Sequence, residues 1–310
     1  MIKNKNIQAH LAIIGANLIF GLNYTFSKGI MPDFVQPYGL TLMRTFTGII
    51  VFWLLSLAAP KERIERNDIL RLFFAGIFGM ALNQLLFLGG LNFSTPINSA
   101  IIMTTNPVIV LVVASLILNE KITQIKTIGI IFGATGAILL ILMNAEGGLD
   151  LSSDKALGNI MQLLNATSYA IYLIVAKPLM KKYHPYTVLK WAYLFALLFV
   201  FPVGIRQFMT INWVNIPIDI WLAIGYLMIF VTVGAFLLNI FALQHVSPTV
   251  VSSYIYSQPV IAAIFAILSG KDKMTWIEII STSLVFMGVY LVSRPAKAPK
   301  NKPDYVSEKI

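Results

Sequence analysis

The sequence predicts an all-α membrane protein of ten transmembrane helices in two inverted five-helix repeats. Three observations predict it. The 310 residues are 57% hydrophobic and only 12% charged, about half the charge of a soluble domain. The apolar residues fall into segments of roughly 20, the length that crosses a hydrocarbon core. Residues 91–141 also match residues 243–293 without a gap, so one half of the chain repeats the other.

The first apolar stretch, 8–27, follows Lys3 and Lys5 as a signal peptide would. It is long, carries Asn17 and Asn23 and lacks a small-x-small cleavage site, so it reads as the first span. Spans near 38–59, 69–91, 95–118 and 124–143 complete a first repeat over 8–143. The hydrophilic stretch 144–156 leads into a second repeat, 157–293, with spans near 157–177, 186–206, 217–243, 247–269 and 275–293. Residues 294–310, rich in Lys and Pro, cannot bury a core and are expected to form a disordered basic cytoplasmic tail.

Lys and Arg set the orientation. With the N-terminus inside, one face collects Lys3, Lys5, Lys61, Arg63, Arg66, Arg71, Lys121, Lys126, Lys177, Lys181, Lys182 and the tail. The other face holds Lys28, Lys155, Arg206, Lys271 and Lys273. By the positive-inside rule both termini are cytoplasmic. Five spans per repeat is an odd number, so the second repeat enters from the opposite side and is inverted. The net charge of +10 reads as topology, because the basic residues sit in short loops and the tail, and no nucleic-acid partner is expected. Cysteine is absent, which excludes disulfides and a thiol nucleophile. The sequence has no Gly-x-Ser-x-Gly, His-Glu-x-x-His or phosphate-binding glycine loop, and His10, His184 and His245 are scattered. No catalytic residue, cofactor or metal is therefore expected, and the chain does not read as an enzyme.

The centre of the repeat carries the candidate chemistry. Asn106-Pro107-Val108-Ile109 answers to Gln258-Pro259-Val260-Ile261, with each proline near the middle of its span. There it removes an amide donor and clashes with the carbonyl four residues earlier. Each span is polar before the proline (Asn98, Thr104, Thr105 and Asn106; Ser252, Ser253, Tyr254, Tyr256, Ser257 and Gln258) and apolar after it. Polar groups in hydrocarbon need partners or water, so the two broken helices are expected to face a mid-membrane cavity. A bland alternative stands beside this, in which prolines only kink helices and small hydroxyls glue them together. Further intramembrane polar residues fall in the same set of spans: Asn17 and Asn23, Asn83 and Gln84, Gln162, Asn165, Tyr169 and Tyr172, and Asn239. The expected substrate-binding set is Asn23, Arg44, Gln84, Thr105, Asn106, Asn165, Tyr169, Tyr172, Asn239, Tyr254 and Gln258, with helix breaks at Pro107 and Pro259.

Charges inside the spans are few and all basic. Arg44 has two readings, a bidentate fork for a carboxylate or phosphate and a carbonyl cap that snorkels to the interface. Lys28, Lys177 and Lys190 read as anchors. No Asp or Glu lies deep in a span, so a carboxylate proton relay lacks its carrier. Spans five and ten are nearly uniformly apolar and read as peripheral, and Gly129-x-x-x-Gly133 offers a close-packing face that leaves monomer and homodimer both open.

These residues resemble the EamA-type transporters of the drug/metabolite transporter superfamily. The resemblance rests on Ser94-Thr95-Pro96 through Asn106-Pro107 with Glu120-Lys121-Ile122-Thr123, and on Ser247-Pro248 through Gln258-Pro259 with Asp272-Lys273-Met274-Thr275. Phe20-Gly21-Leu22-Asn23-Tyr24 and Leu42-Met43-Arg44 are also similar to family patterns. Asp272 stands where Glu is usual and Ser281 where a Gly often follows. The resemblance covers nearly the whole chain to about Arg294. It implies a secondary transporter in a bacterial plasma (inner) membrane, with the bilayer and a small polar metabolite as partners and alternating access as mechanism. Efflux is expected ahead of uptake. Substrate does not transfer across the family.

Overall fold

The computed structural model of the protein describes residues 2–118, 124–143, 153–270 and 275–293, and all regular structure among them is helical. The helices are α1 (Ile2–Ile30), α2 (Pro37–Leu57), α3 (Arg66–Phe93), α4 (Pro96–Met103 continued by Asn106–Leu118), α5 (Gln124–Met143), α6 (Asp154–Lys182), α7 (Pro185–Met209) and α8 (Ile218–His245). They are followed by α9, made of Pro248–Ser253 and Ser257–Leu268 joined by a 3-10 turn at Tyr254–Tyr256, and by α10 (Trp276–Ser293). Seven, α1 to α4 and α6 to α8, are long and apolar enough to cross a membrane, so the expectation of ten crossings rests on α5, α9 and α10 as well. The pairs Glu120-Lys121 and Asp272-Lys273, most of the 144–156 stretch and the tail lie outside the described residues.

Helix starts follow local chemistry. Pro37, Pro96, Pro185 and Pro248 each occupy the first turn, where no amide donor is needed. Thr95 and Ser247 stand at matched positions, and their hydroxyls accept from the amides of Asn98 (3.2 Å) and Val250 (3.3 Å). The ends are matched too. Lys28 donates to the carbonyls of Leu91, Asn92 and Ser94 (2.8–3.0 Å), and Lys177 donates to those of Leu243 and Val246. A lysine from the first helix of each half thus satisfies the orphan carbonyls at the end of the third. Both lysines are anchors, and Lys190 lies against the Trp53 ring (5.0 Å) and Ser56 at the protein's outer face.

Close packing rests on glycine. A Cβ on Gly90 would come within 2.8 Å of the Gly158 carbonyl oxygen, and one on Gly158 equally close to that of Gly90, so α3 and α6 cross backbone to backbone. Gly39 and Gly204 do the same for α2 and α7. A Cβ on Gly288 would lie 2.5 Å from the Gly129 carbonyl and the Gly133 amide. The Gly129-x-x-x-Gly133 face is therefore occupied within the chain by α10, and it is not a free dimerisation surface.

Two helices depart from α geometry. α3 widens into a π-helical turn at Ile77–Ala81, and α8 does so over Leu227–Ala235. These are corresponding helices of the two halves, and such turns free carbonyls and re-aim side chains. The Phe78 carbonyl in the first accepts from Ser168 (2.7 Å), and the Leu227 carbonyl in the second accepts from Thr232 (2.9 Å).

The distribution of side chains is that of a protein dissolved in lipid. Leu54, Leu198, Leu222 and Ile229 are exposed, while Asn17, Asn159, Gln162 and Gln258 are buried. A soluble fold reverses this arrangement.

Candidate functional site

α4 is interrupted at Thr104-Thr105 and α9 at Tyr254–Tyr256, immediately before Pro107 and Pro259. In each helix the chain restarts with the proline inside the first turn, where its missing donor costs nothing. The breaks turn Met103 and Ile255 onto a shared central cavity of about 50 Å³. That volume has room for a few waters, so the conformation is contracted around its site.

Asn17, Phe20, Asn23 and Tyr24 of α1, Arg44 of α2, and Asn83, Gln84 and Phe87 of α3 line the cavity. From the second half come Asn165 and Tyr169 of α6, Phe236 and Asn239 of α8, and Ile255 and Gln258 of α9. Among the described residues the wall is mostly amides and aromatic rings, with one cation and no carboxylate.

Two hydrogen-bonded groups frame it. Gln258 accepts from the Tyr24 hydroxyl (3.0 Å) and donates to Asn17 (2.7 Å), which fastens α9 to α1. Asn83 donates to Asn165 (2.6 Å), and Asn165 donates to Gln162 (3.3 Å), whose own amide is bound to the Phe87 carbonyl (2.8 Å); these fasten α3 to α6. In both groups a helix of one half meets a helix of the other. Asn23 accepts from Ser27 (2.9 Å), and Asn239 donates to the Ala235 carbonyl (3.3 Å).

Arg44 is 2% exposed and does not snorkel. Its Nε donates to the Thr232 hydroxyl (3.1 Å), and its Nη1 has no hydrogen-bond partner among the described residues. The Tyr193 hydroxyl donates to the Thr232 carbonyl (3.2 Å). The π turn of α8 thus presents Thr232 to both side chains.

Seven of the expected residues line the cavity: Asn23, Arg44, Gln84, Asn165, Tyr169, Asn239 and Gln258. Four do not. Asn106 is fully buried and donates to the Ala166 carbonyl (2.6 Å), tying α4 to α6. Thr105 caps the first piece of α4 through the Ile102 carbonyl (2.8 Å). Tyr172 is packed over Gly79, where a Cβ would overlap its ring at 2.3 Å, and it belongs to the core. The Tyr254 hydroxyl pairs with His10 (2.8 Å) between α9 and α1. Phe20, Phe87 and Phe236 are not legible as wall residues because an apolar wall and an apolar core look alike in sequence; Thr232 is not legible because a π turn carries no sequence signature, and Tyr193 of α7 because its partner, Thr232, comes from that turn.

An apolar exterior around a central polar cavity, walled by helices from both halves, defines a membrane transporter. The chain belongs to the EamA-like transporter family, which matches residues 7–142 and 156–294. It is 22% identical to a protein of Bacillus subtilis named uncharacterized transporter YyaM, over 96% of this chain and 97% of that one. It is 24% identical to an uncharacterized transporter of Archaeoglobus fulgidus (93% and 98% covered) and 22% identical to the WAT1-related protein At3g53210 of Arabidopsis thaliana (91% and 84%). A solved structure described only as "Crystal structure of protein" superposes with a TM-score of 0.63 at 18% identity, covering 94% of this chain and 96% of its own. That likeness is one of fold.

Proposed function

We propose that the chain is a secondary transporter that moves a small polar metabolite, such as an amino acid, nucleoside, amine or related compound, by alternating access in the direction of efflux. The observation that carries this reading is the contracted cavity whose seven amides come from both halves of the chain. A solute of metabolite size needs a pocket of about 300 Å³ or more, so loading requires the halves to part on one side and then on the other.

In this reading α5, α9 and α10 also cross the bilayer, which makes ten spans. The halves, 8–143 and 157–293, are related by inversion, and both termini face the cytoplasm of a bacterial plasma membrane. The matched lysine anchors, matched caps and matched π turns support a common ancestral unit for the two halves. Movement is a rocking of one half on the other, with the breaks before Pro107 and Pro259 as the compliant points. No carboxylate lines the cavity among the described residues, which favours exchange or uniport over a carboxylate proton relay.

The test is an untargeted comparison of cellular and medium metabolites between a deletion strain and an overexpressor. A solute class retained in the cell on deletion and enriched in the medium on overexpression is expected. Unchanged pools in both compartments would refute the reading, and the opposite redistribution would reverse its direction.

A further inference from the structure

We propose that the transported solute carries a single carboxylate, held by Arg44 and Gln84; this rests on the reading of the cavity as the transport site. Arg44 and Gln84 are 2% and 1% exposed and both line the cavity. Among the described residues the Nη1 of Arg44 has no hydrogen-bond partner, and the Gln84 amide has only a weak contact with the Tyr193 hydroxyl. Both residues lie beside Tyr193, which places them on one patch of wall.

Unsatisfied polar groups at this depth are costly, and a buried cation without a counter-ion is costlier. Elsewhere in the cavity the amides have partners: Asn83 pairs with Asn165 and Gln258 with Asn17, Asn23 accepts from Ser27 and Asn239 donates to the Ala235 carbonyl. Among the described residues that line the cavity, the enclosed polar atoms that lack a well-formed hydrogen bond belong to one patch, that of Arg44 and Gln84. It offers donors in the planar geometry of a guanidinium, which suits an anionic oxygen pair. Its other edge is fixed: Nε is spent on Thr232, so the guanidinium is oriented before a solute arrives.

The charge count selects among solute classes. Among the described residues Arg44 is the only cation lining the cavity, so it balances one negative charge and leaves a phosphate monoester's second charge unmatched. A cationic amine finds no carboxylate there and is repelled by Arg44. A neutral nucleoside leaves the guanidinium unpaired. A monocarboxylate meets all of these conditions; an amino acid meets the one set by Arg44 through its carboxylate end, with its ammonium left to the amide oxygens and aromatic rings of the wall.

The experiment uses the purified full-length protein, in detergent for thermal unfolding and in proteoliposomes for counterflow. The probes are the twenty amino acids, lactate and benzoate, each beside its methyl ester, with putrescine and adenosine as cationic and neutral comparators. At least one free acid should raise the unfolding temperature and show saturable counterflow, with its ester bound about tenfold or more weakly. In Arg44→Gln that preference should collapse, and Arg44→Lys should restore part of it. The acid and ester comparison needs only the wild-type protein, so it decides the matter even where the variants fail to fold. Equal affinity for acid and ester would overturn the proposal. Saturable flux of putrescine or adenosine without any acid would also overturn it, while leaving the transporter reading intact. Absence of saturable flux for every probe, together with unchanged metabolite pools in cells, would refute both.

Discussion

Gly158→Leu is expected to leave no correctly assembled protein in the membrane. At the α3–α6 crossing a Cβ on Gly158 would lie 2.8 Å from the Gly90 carbonyl oxygen, 2.9 Å from Phe93 Cβ and 2.9 Å from the Ser94 amide. Two of these three are backbone atoms, which cannot rotate aside as a side-chain end can. The crossing also carries the bond from Ser94 to Asn159 (2.6 Å) and that from Gln162 to the Phe87 carbonyl (2.8 Å). Separating the helices would therefore unpair buried polar groups as well as open packing, at a combined cost of at least about 3 kcal/mol. Gly225, where a Cβ would meet nothing within 4 Å, supplies the control. Size-exclusion profiles of fluorescent fusions extracted from membranes should show a sharp peak for Gly225→Ala and none for Gly158→Leu. Matching sharp peaks would contradict the crossing.

Gln258→Ala is expected to reduce transport about tenfold or more, whereas Asn106→Ala is expected to act mainly on stability. The two residues occupy equivalent places in the repeat, yet they meet different surroundings. Gln258 lines the cavity and joins α9 to Tyr24 and Asn17 of α1. Its loss reshapes the cavity wall and frees one of the halves' direct links. Asn106 is turned to the Ala166 carbonyl and does not line the cavity; that carbonyl lies inside α6, so truncation removes one buried bond between helices without stranding an acceptor, a cost of about 0.5–1.5 kcal/mol. Flux per folded molecule and unfolding temperature, measured on both variants, separate the two roles. A larger loss of specific flux in Asn106→Ala than in Gln258→Ala would reverse the assignment.

Much of this architecture is legible in the sequence because a bilayer imposes simple demands. A helix must be apolar for about 20 residues, its start favours Thr95-Pro96 or Ser247-Pro248, and an intramembrane lysine such as Lys28 needs carbonyls to hold. Those demands leave marks in single residues. Which polar residues face the cavity is harder to read, because consecutive helical positions differ by about 100°. A local break before Asn106 is enough to turn it to α6 instead of inward. Tyr172 illustrates a second difficulty: the space that receives its ring exists only because Gly79 lies on another helix, inside a π turn that Ile77-Phe78-Gly79-Met80-Ala81 does not announce. The patch beside Tyr193 has the same origin. Thr232 reaches Arg44 from the π turn of α8, a contact between residues 188 positions apart.

The central claim is that one cavity opens to each side of the membrane in turn, and the chain is suited to a direct test because it contains no cysteine. Single cysteines at Asn239 and Asn23, both on the cavity wall, can be labelled with a membrane-impermeant maleimide in right-side-out and in inside-out vesicles. Alternating access predicts that each position is labelled from both sides, and that a transported solute slows labelling from both. Labelling of both positions from one side only, whatever solute is present, would contradict it.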